Sequence, residues 1–353
     1  MTLHDTNLQQ CVQTLDGSVI IPIRLSPPRT MKTADSPPSK VTLVRVGSGQ
    51  AGQRLDNFLL GQLKGVPKSH VYRLLRKGEV RVNKGRAKPE YRLQEGDQVR
   101  IPPVRQAASP PDDSQMPLPG ELAETLRRAV LLEDEDLLVL NKPAGLAVHG
   151  GSGVKLGLIE AMRRLRPRAD FLELAHRLDR ETSGCLVLAK RREALLAFHE
   201  ALKSGGVDKH YVTLLAGVWQ GGPRRISETL ARKGPRTQVR KVEVDEDGKH
   251  AESFFFPRRH FVDATLMGVE IGTGRTHQIR VHAAHEGFPV AGDSQYGDFE
   301  FNRRMKRLGL KRQFLHAETL RFHLPGHERP YQIQAPLPAD LEAVLERLEP
   351  LDV

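Results

Sequence analysis

The chain has 353 residues, 39% of them hydrophobic, and a formal net charge of +11. That length suggests two domains, and the basic excess favours a polyanionic partner such as nucleic acid. No apolar run approaches the roughly eighteen residues of a membrane span, residues 1–10 lack the apolar centre of a signal peptide, and Cys11 and Cys185 do not make a disulfide framework. A reduced, cytoplasmic protein with no membrane association is expected.

Residues 1–47 show little periodicity, and Pro27-Pro28 and Pro37-Pro38 among scattered Ser and Thr mark a flexible arm. A compact module follows over residues 48–103. Leu55, Phe58, Leu59 and Leu63 recur at helical spacing, which predicts an amphipathic helix over residues 54–64. Pro67 fits the first turn of a second helix, with Val71, Leu74 and Leu75 on its apolar face and Gly78 as its stop. Val80 and Val82 before a Gly85 turn predict a hairpin, and Val99 and Ile101 a closing strand. Residues 64–105 hold twelve Lys and Arg against four Asp and Glu, which is +8 of the +11. The plain reading is a solvated basic face. The functional one is a surface that contacts phosphates and positions RNA without reading its sequence. The candidate contacts are Arg54, Lys68, Arg73, Arg76, Lys77, Arg81, Lys84 and Arg86. The stretch Ala51-Gly52-Gln53-Arg54-Leu55-Asp56-Asn57-Phe58-Leu59-Leu60 resembles the opening helix of the S4 RNA-binding domain. Lys68-Ser69-His70, and Arg76-Lys77-Gly78-Glu79-Val80-Arg81-Val82-Asn83 beyond it, resemble its second helix and hairpin.

Pro110-Pro111, Pro117 and Pro119 make residues 104–120 a linker. A larger domain spans residues 121–353. Leu137-Leu138-Val139-Leu140 reads as a buried strand, followed by Asn141-Lys142-Pro143-Ala144-Gly145. Gly150-Gly151-Ser152-Gly153 lacks the pattern of a phosphate-binding P-loop. Residues 158–165 and 193–202 fit helices, and residues 209–218, 252–256 and 264–271 fit strands. Strands in succession and strands broken by helices together indicate an α+β fold with a mixed, mostly antiparallel sheet.

Two polar stretches stand out. His176-Arg177-Leu178-Asp179-Arg180-Glu181-Thr182-Ser183-Gly184 leads into the apolar run Cys185-Leu186-Val187-Leu188-Ala189, so Asp179 lies in a turn ahead of a core strand. On these residues alone Asp179 reads as a turn carboxylate paired with Arg177 or Arg180. Gly272-Thr273-Gly274-Arg275-Thr276-His277-Gln278-Ile279-Arg280-Val281-His282 predicts a helix capped by Thr276 and running to about His285, with Arg280 one turn on. A metal site is not expected, since His282 and His285 belong to no His-Glu-x-x-His run, and no Gly-x-Ser-x-Gly elbow presents a serine nucleophile.

With these stretches in view, the larger domain resembles the RluA-type pseudouridine synthases. The 176–184 stretch is similar to that family's catalytic motif, Asn141-Lys142-Pro143-Ala144-Gly145 to its early strand motif, and Lys209-His210-Tyr211 to its tyrosine strand. The stretch from Gly274 to His282 resembles its arginine helix, and Gly292-Asp293-Ser294-Gln295-Tyr296-Gly297 and Leu315-His316-Ala317 match as well. The resemblance covers residue 48 to the C-terminus and comes nearest to the C-type branch acting on large-subunit (23S) ribosomal RNA, which carries an S4 domain. It implies isomerisation of uridine to pseudouridine with no cofactor and no metal. It also implies Asp179 as the catalytic carboxylate, Arg280 as its partner, Tyr211 stacking on the target base and Arg177 filling the space that base leaves. Plainer readings stay open for Tyr211 as a core residue and Arg177 as a salt bridge. The expected protein is a monomer acting on ribosomal RNA, either naked or in assembly intermediates. A non-catalytic ribosome-assembly factor of the same fold is the alternative, with a metal-dependent RNA hydrolase behind it.

Overall fold

The computed structural model describes residues 41–63, 65–104, 118–150, 156–234 and 241–351. The arm before residue 41, linker residues 105–117 and Gly151-Ser152-Gly153 lie outside them. The chain divides into two compact units at 107/108.

The first unit contains β1 (Thr42–Arg45), α1 (Leu55–Gln62), α2 (Lys68–Lys77), β2 (Arg81–Val82) and β3 (Gln98–Ile101). Its sheet has the order β1-β3-β2, antiparallel throughout. Leu55, Phe58 and Leu59 of α1 meet Val71, Leu74 and Leu75 of α2 over Val80 and Val99, as the helical spacing predicts. Gly78 ends α2 in the left-handed conformation that glycine adopts at low cost. One boundary needs correction. The arm was expected to run through residue 47, yet Thr42–Arg45 pairs with Gln98–Ile101. This strand is short and mostly exposed, so its sequence carries no alternation, and its partner lies some fifty residues away.

The second unit contains α3 (Gly120–Arg128), β4 (Val130–Glu133), β5 (Leu137–Lys142), α4 (Leu158–Leu165), β6 (Glu173–Leu174), β7 (Ser183–Ala189), α5 (Arg192–Ser204) and β8 (Val207–Ala216). It continues through β9 (Arg224–Lys233), β10 (Lys241–Val244), β11 (Lys249–His260), β12 (Ala264–Ile271), α6 (Gln278–His285) and α7 (Phe299–Arg307). It closes with β13 (Leu315–Phe322), β14 (Tyr331–Gln334) and α8 (Ala339–Leu345). One mixed sheet runs β10-β9-β11-β12-β8-β13-β7-β5-β4, with β14 on β13 and β6 on β7. The described pairings are antiparallel except β13 with β7.

Alternation along the strands divides the core. Leu186 and Leu188 of β7, Tyr211 and Leu215 of β8 and Leu315 of β13 share one cluster with Ile279 of α6 and Met162 of α4. Cys185 and Val187 point to the other face, against Phe198 of α5. Burial pushes the Cys185 thiol up to about 12, leaving it an inert core group. The parallel β7–β13 contact requires Gly184: at its φ of 111° a Cβ would lie 2.2 Å from the Ala317 carbonyl oxygen. No helix among the described residues is long and apolar enough to cross a membrane.

Candidate active site

Asp179, Tyr211 and Arg280, far apart in sequence, line one pocket with Arg177, His277 and Leu315. The sheet order accounts for this. β13 lies between β7 and β8, and its Ala317 is paired with both Gly184 and Tyr211. The loop entering β7 therefore emerges beside the Tyr211 ring.

That loop is held on several sides. The Thr182 hydroxyl accepts from Gln313 Nε2 at 2.8 Å. His316 Nε2 donates to the Ala335 carbonyl at 3.1 Å, so Nδ1 accepts the Ser183 hydroxyl at 3.0 Å. The Arg180 carbonyl accepts from the Gly145 N–H at 2.9 Å, and Arg180 Nε donates back to the Gly145 carbonyl at 2.9 Å. Fully buried Lys142 donates to the carbonyls of Pro143 at 2.8 Å, Leu146 at 2.8 Å and Arg180 at 3.0 Å. Burial pushes its ammonium down to about 7, with Glu181 opposing that shift. His176 accepts the Val187 N–H at 3.0 Å through Nε2, and burial drives its pKa down to about 4, so it anchors the loop as a neutral ring.

The carboxylate of Asp179 is paired with neither neighbouring arginine, contrary to the turn reading. Its Oδ2 accepts from Arg280 Nη1 at 3.2 Å and lies 3.8 Å from His277 Nε2. Arg280 is a bridge: Nε and Nη2 donate to Asp293 at 2.6 and 2.8 Å, leaving Nη1 for Asp179. The Tyr296 ring lies 5.0 Å from the guanidinium carbon. Burial would lower the Arg280 pKa, but Asp293, and then Asp179, raise it above its ordinary value. Burial likewise opposes the charge on Asp293, and the Arg280 hydrogen bonds hold its carboxyl below the usual range. Asp293 also accepts the N–H groups of Gln295 and Tyr296.

The helix carrying Arg280 starts later than expected. His277, not Thr276, is the N-cap of α6, at a φ of 57°. The Thr276 hydroxyl is taken by Arg232 at 2.6 Å. The start is fixed instead by Gln278, whose amide makes four bonds. Nε2 donates to the Glu252 carbonyl at 2.8 Å and the Ser253 hydroxyl at 2.9 Å, while Oε1 accepts from Thr273 Oγ1 at 2.7 Å and Arg275 N–H at 3.0 Å.

Tyr211 is buried, and no described residue bonds its hydroxyl; burial, with the Asp179 charge adding to it, pushes the phenol well up. Arg177 is exposed on the pocket lining and makes no ion pair with a described residue. Asp293, Tyr296 and Lys142 went unassigned in the sequence reading, although each stands in a stretch that carried the resemblance.

In the first unit, Lys77, Arg81, Lys84 and Arg86, with Arg100, line a cleft of about 680 Å³. Lys68, Arg73 and Arg76 are exposed on α2 outside that lining. Arg54 is partly committed elsewhere: Nε and Nη2 donate to buried Asp56 at 3.1 and 2.7 Å.

A mixed sheet with a carboxylate-bearing loop, preceded in the chain by a basic unit, points to an enzyme acting on RNA. Residues 136–285 match the family described as RNA pseudouridylate synthase, and residues 53–99 match the S4 domain. The chain belongs to the pseudouridine synthase family and is an RNA pseudouridine synthase. It is 48% identical to the Ribosomal large subunit pseudouridine synthase C of Haemophilus influenzae, over 88% of this chain and 96% of that one. It is also 48% identical to the Escherichia coli K12 protein of that name, over 87% and 97%. Among solved structures, Human RNA Pseudouridylate Synthase Domain Containing 4 aligns with a TM-score of 0.54 at 27% identity, covering 65% of this chain and 97% of that one.

Proposed function

We propose that this enzyme isomerises uridines of large-subunit ribosomal RNA, with Asp179 as the reacting carboxylate. The observation that carries the reading is the division of labour at that carboxylate. Oδ2 is pinned by Arg280, while Oδ1 has no described partner, in a pocket shared with Tyr211. In the reaction N1–C1′ breaks, C5–C1′ forms, C5 loses a proton and N1 gains one. Atoms and electrons balance within the substrate, so no cofactor is needed. Asp179 Oδ1 attacks C1′ or removes the 2′ hydrogen; either act needs an unencumbered carboxylate oxygen.

Reaching that oxygen requires the uridine to leave its stack. Tyr211 then supplies a ring for the base. Arg177, exposed on the pocket lining and making no ion pair with a described residue, fills the space left behind. Names shared by close relatives support ribosomal RNA as substrate, and the basic cleft of the first unit supports binding through phosphates. Such a substrate sets the place of action in the cytoplasm. One chain supplies Asp179, Tyr211, Arg280 and Asp293, which supports a monomer as the working unit.

The test is incubation with 23S ribosomal RNA in the presence of a chelator, followed by pseudouridine mapping. Asp179→Asn should lose turnover by at least about four orders of magnitude while RNA binding and circular dichroism stay unchanged. Substantial turnover by folded Asp179→Asn would remove Asp179 from the role.

A further inference from the structure

His277 carries a second, unassigned piece of chemistry. The Tyr296 hydroxyl accepts the Val242 N–H at 2.9 Å, so its own proton is free for His277 Nδ1 at 3.0 Å. That bond makes Nδ1 an acceptor and places the ring proton on Nε2. Nε2 lines the pocket 3.8 Å from Asp179 Oδ2, too far for a direct hydrogen bond. The donor is thus fixed on the pocket lining, with no acceptor among the described residues. Its backbone, at a φ of 57°, is in the left-handed region, a cost retained most often where function demands it. Asp179, Arg280, Asp293, Arg232 and the Tyr296 hydroxyl surround the ring. Burial lowers its pKa below the ordinary value, with Asp179 opposing, so the ring is a neutral dipolar donor rather than a cation.

Resting on Asp179 as the reacting carboxylate, a substrate whose C1′ faces that group brings its base alongside His277. When N1–C1′ breaks, the bond pair passes to N1 and spreads over uracil O2 and O4. O2 is bonded to the carbon next to N1 and is the base oxygen nearest C1′. We propose that His277 is a catalytic residue that donates its Nε2–H to uracil O2 as the glycosidic bond breaks. No proton is transferred at this step; the hydrogen bond strengthens as charge develops on O2, as in an oxyanion hole. Tyr296 is a positioning residue that holds the tautomer.

The experiment compares single-turnover consumption of uridine and of 5-fluorouridine at the target position of the same RNA. Fluorine stabilises the departing base anion and so lessens the need for a donor. His277→Asn suits this test, because Asn tolerates the left-handed backbone but is too short to reach O2. Tyr296→Phe keeps the ring beside Arg280 and removes the hydroxyl, and with it both the proton given to Nδ1 and the acceptor of the Val242 N–H. On uridine, His277→Asn should slow the first turnover about 100-fold with RNA affinity unchanged, and Tyr296→Phe should slow it less. On 5-fluorouridine both losses should shrink severalfold. Equal losses on the two substrates, or none, would overturn the proposal, since a residue that merely holds Asp179 or the fold is indifferent to the leaving group. Asp179→Asn run alongside separates the two readings: activity there defeats the Asp179 assignment, whereas full activity of His277→Asn with an inert Asp179→Asn defeats this one alone.

Discussion

Lys142 is a buried cation held by carbonyl dipoles. Its three hydrogen-bond acceptors belong to Pro143, Leu146 and Arg180, and the last of these lies one residue beyond Asp179. The ammonium thus ties the end of β5 to the loop that carries Asp179. A methionine of similar length would fill the space and leave those carbonyls without this donor, at about 1–3 kcal/mol for each buried group left unsatisfied. Lys142→Met should lower the melting temperature and reduce turnover as the loop loses its fixed place. Lys142→Arg should not restore either, because a planar guanidinium cannot point three donors into one small cage. Thermal unfolding and turnover number, measured on both variants, check this expectation; wild-type values for either would show that the cage does not hold the loop.

At the scale of elements, α6 matters through where it starts. Gln278 ties the turn before it to β11, and the first helical turn then aims His277 and Arg280 at Asp179. Gln278→Leu removes four bonds at once and should reduce kcat more than it raises KM, because it displaces His277 and Arg280 from Asp179 while leaving the basic cleft of the first unit untouched. Steady-state kinetics decide it, and a change confined to KM would assign Gln278 to substrate binding instead. This start was only partly legible in the sequence. The helical stretch and Arg280 stood out through spacing, but the cap was misplaced because Arg232, on β9, takes the Thr276 hydroxyl. Local capping rules do not see a donor from a distant strand. The same holds for β1, whose only cue is its partner β3, and for Asp293, whose role exists only against Arg280. Where the signal is local, as in α4 or the buried run of β7, the sequence expectation and the structure coincide.

For the whole molecule, the neutral histidines that burial holds below their ordinary pKa in the second unit shape how folding responds to acid. His176 accepts a backbone N–H from β7, and His282, in α6, has Nδ1 3.0 Å from the Ser253 hydroxyl and Nε2 without a partner among the described residues. Burial drives each down to about 4 from an ordinary 6.5. Above 6.5 each ring is neutral in both folded and unfolded chains, and its contribution is intact. Between 6.5 and 4 the unfolded chain binds protons that the folded chain refuses, so stability falls as pH falls. By pH 4 the loss approaches roughly 3 kcal/mol per ring. Asp293 acts in a lower window: its folded pKa lies below 3.8, so its contribution persists until the pH drops beneath the unfolded carboxylate range. The acid limb between 6.5 and 4 therefore belongs chiefly to the histidines. Melting temperatures of the second unit, followed from pH 7 to pH 4.5, should fall steadily. His282→Leu removes one of these rings while Ser253 still accepts from Gln278, so the fall should shrink, with His176 and His316 carrying part of the rest. A fall of unchanged size in that variant would move the acid sensitivity to His176 or to groups outside this pair.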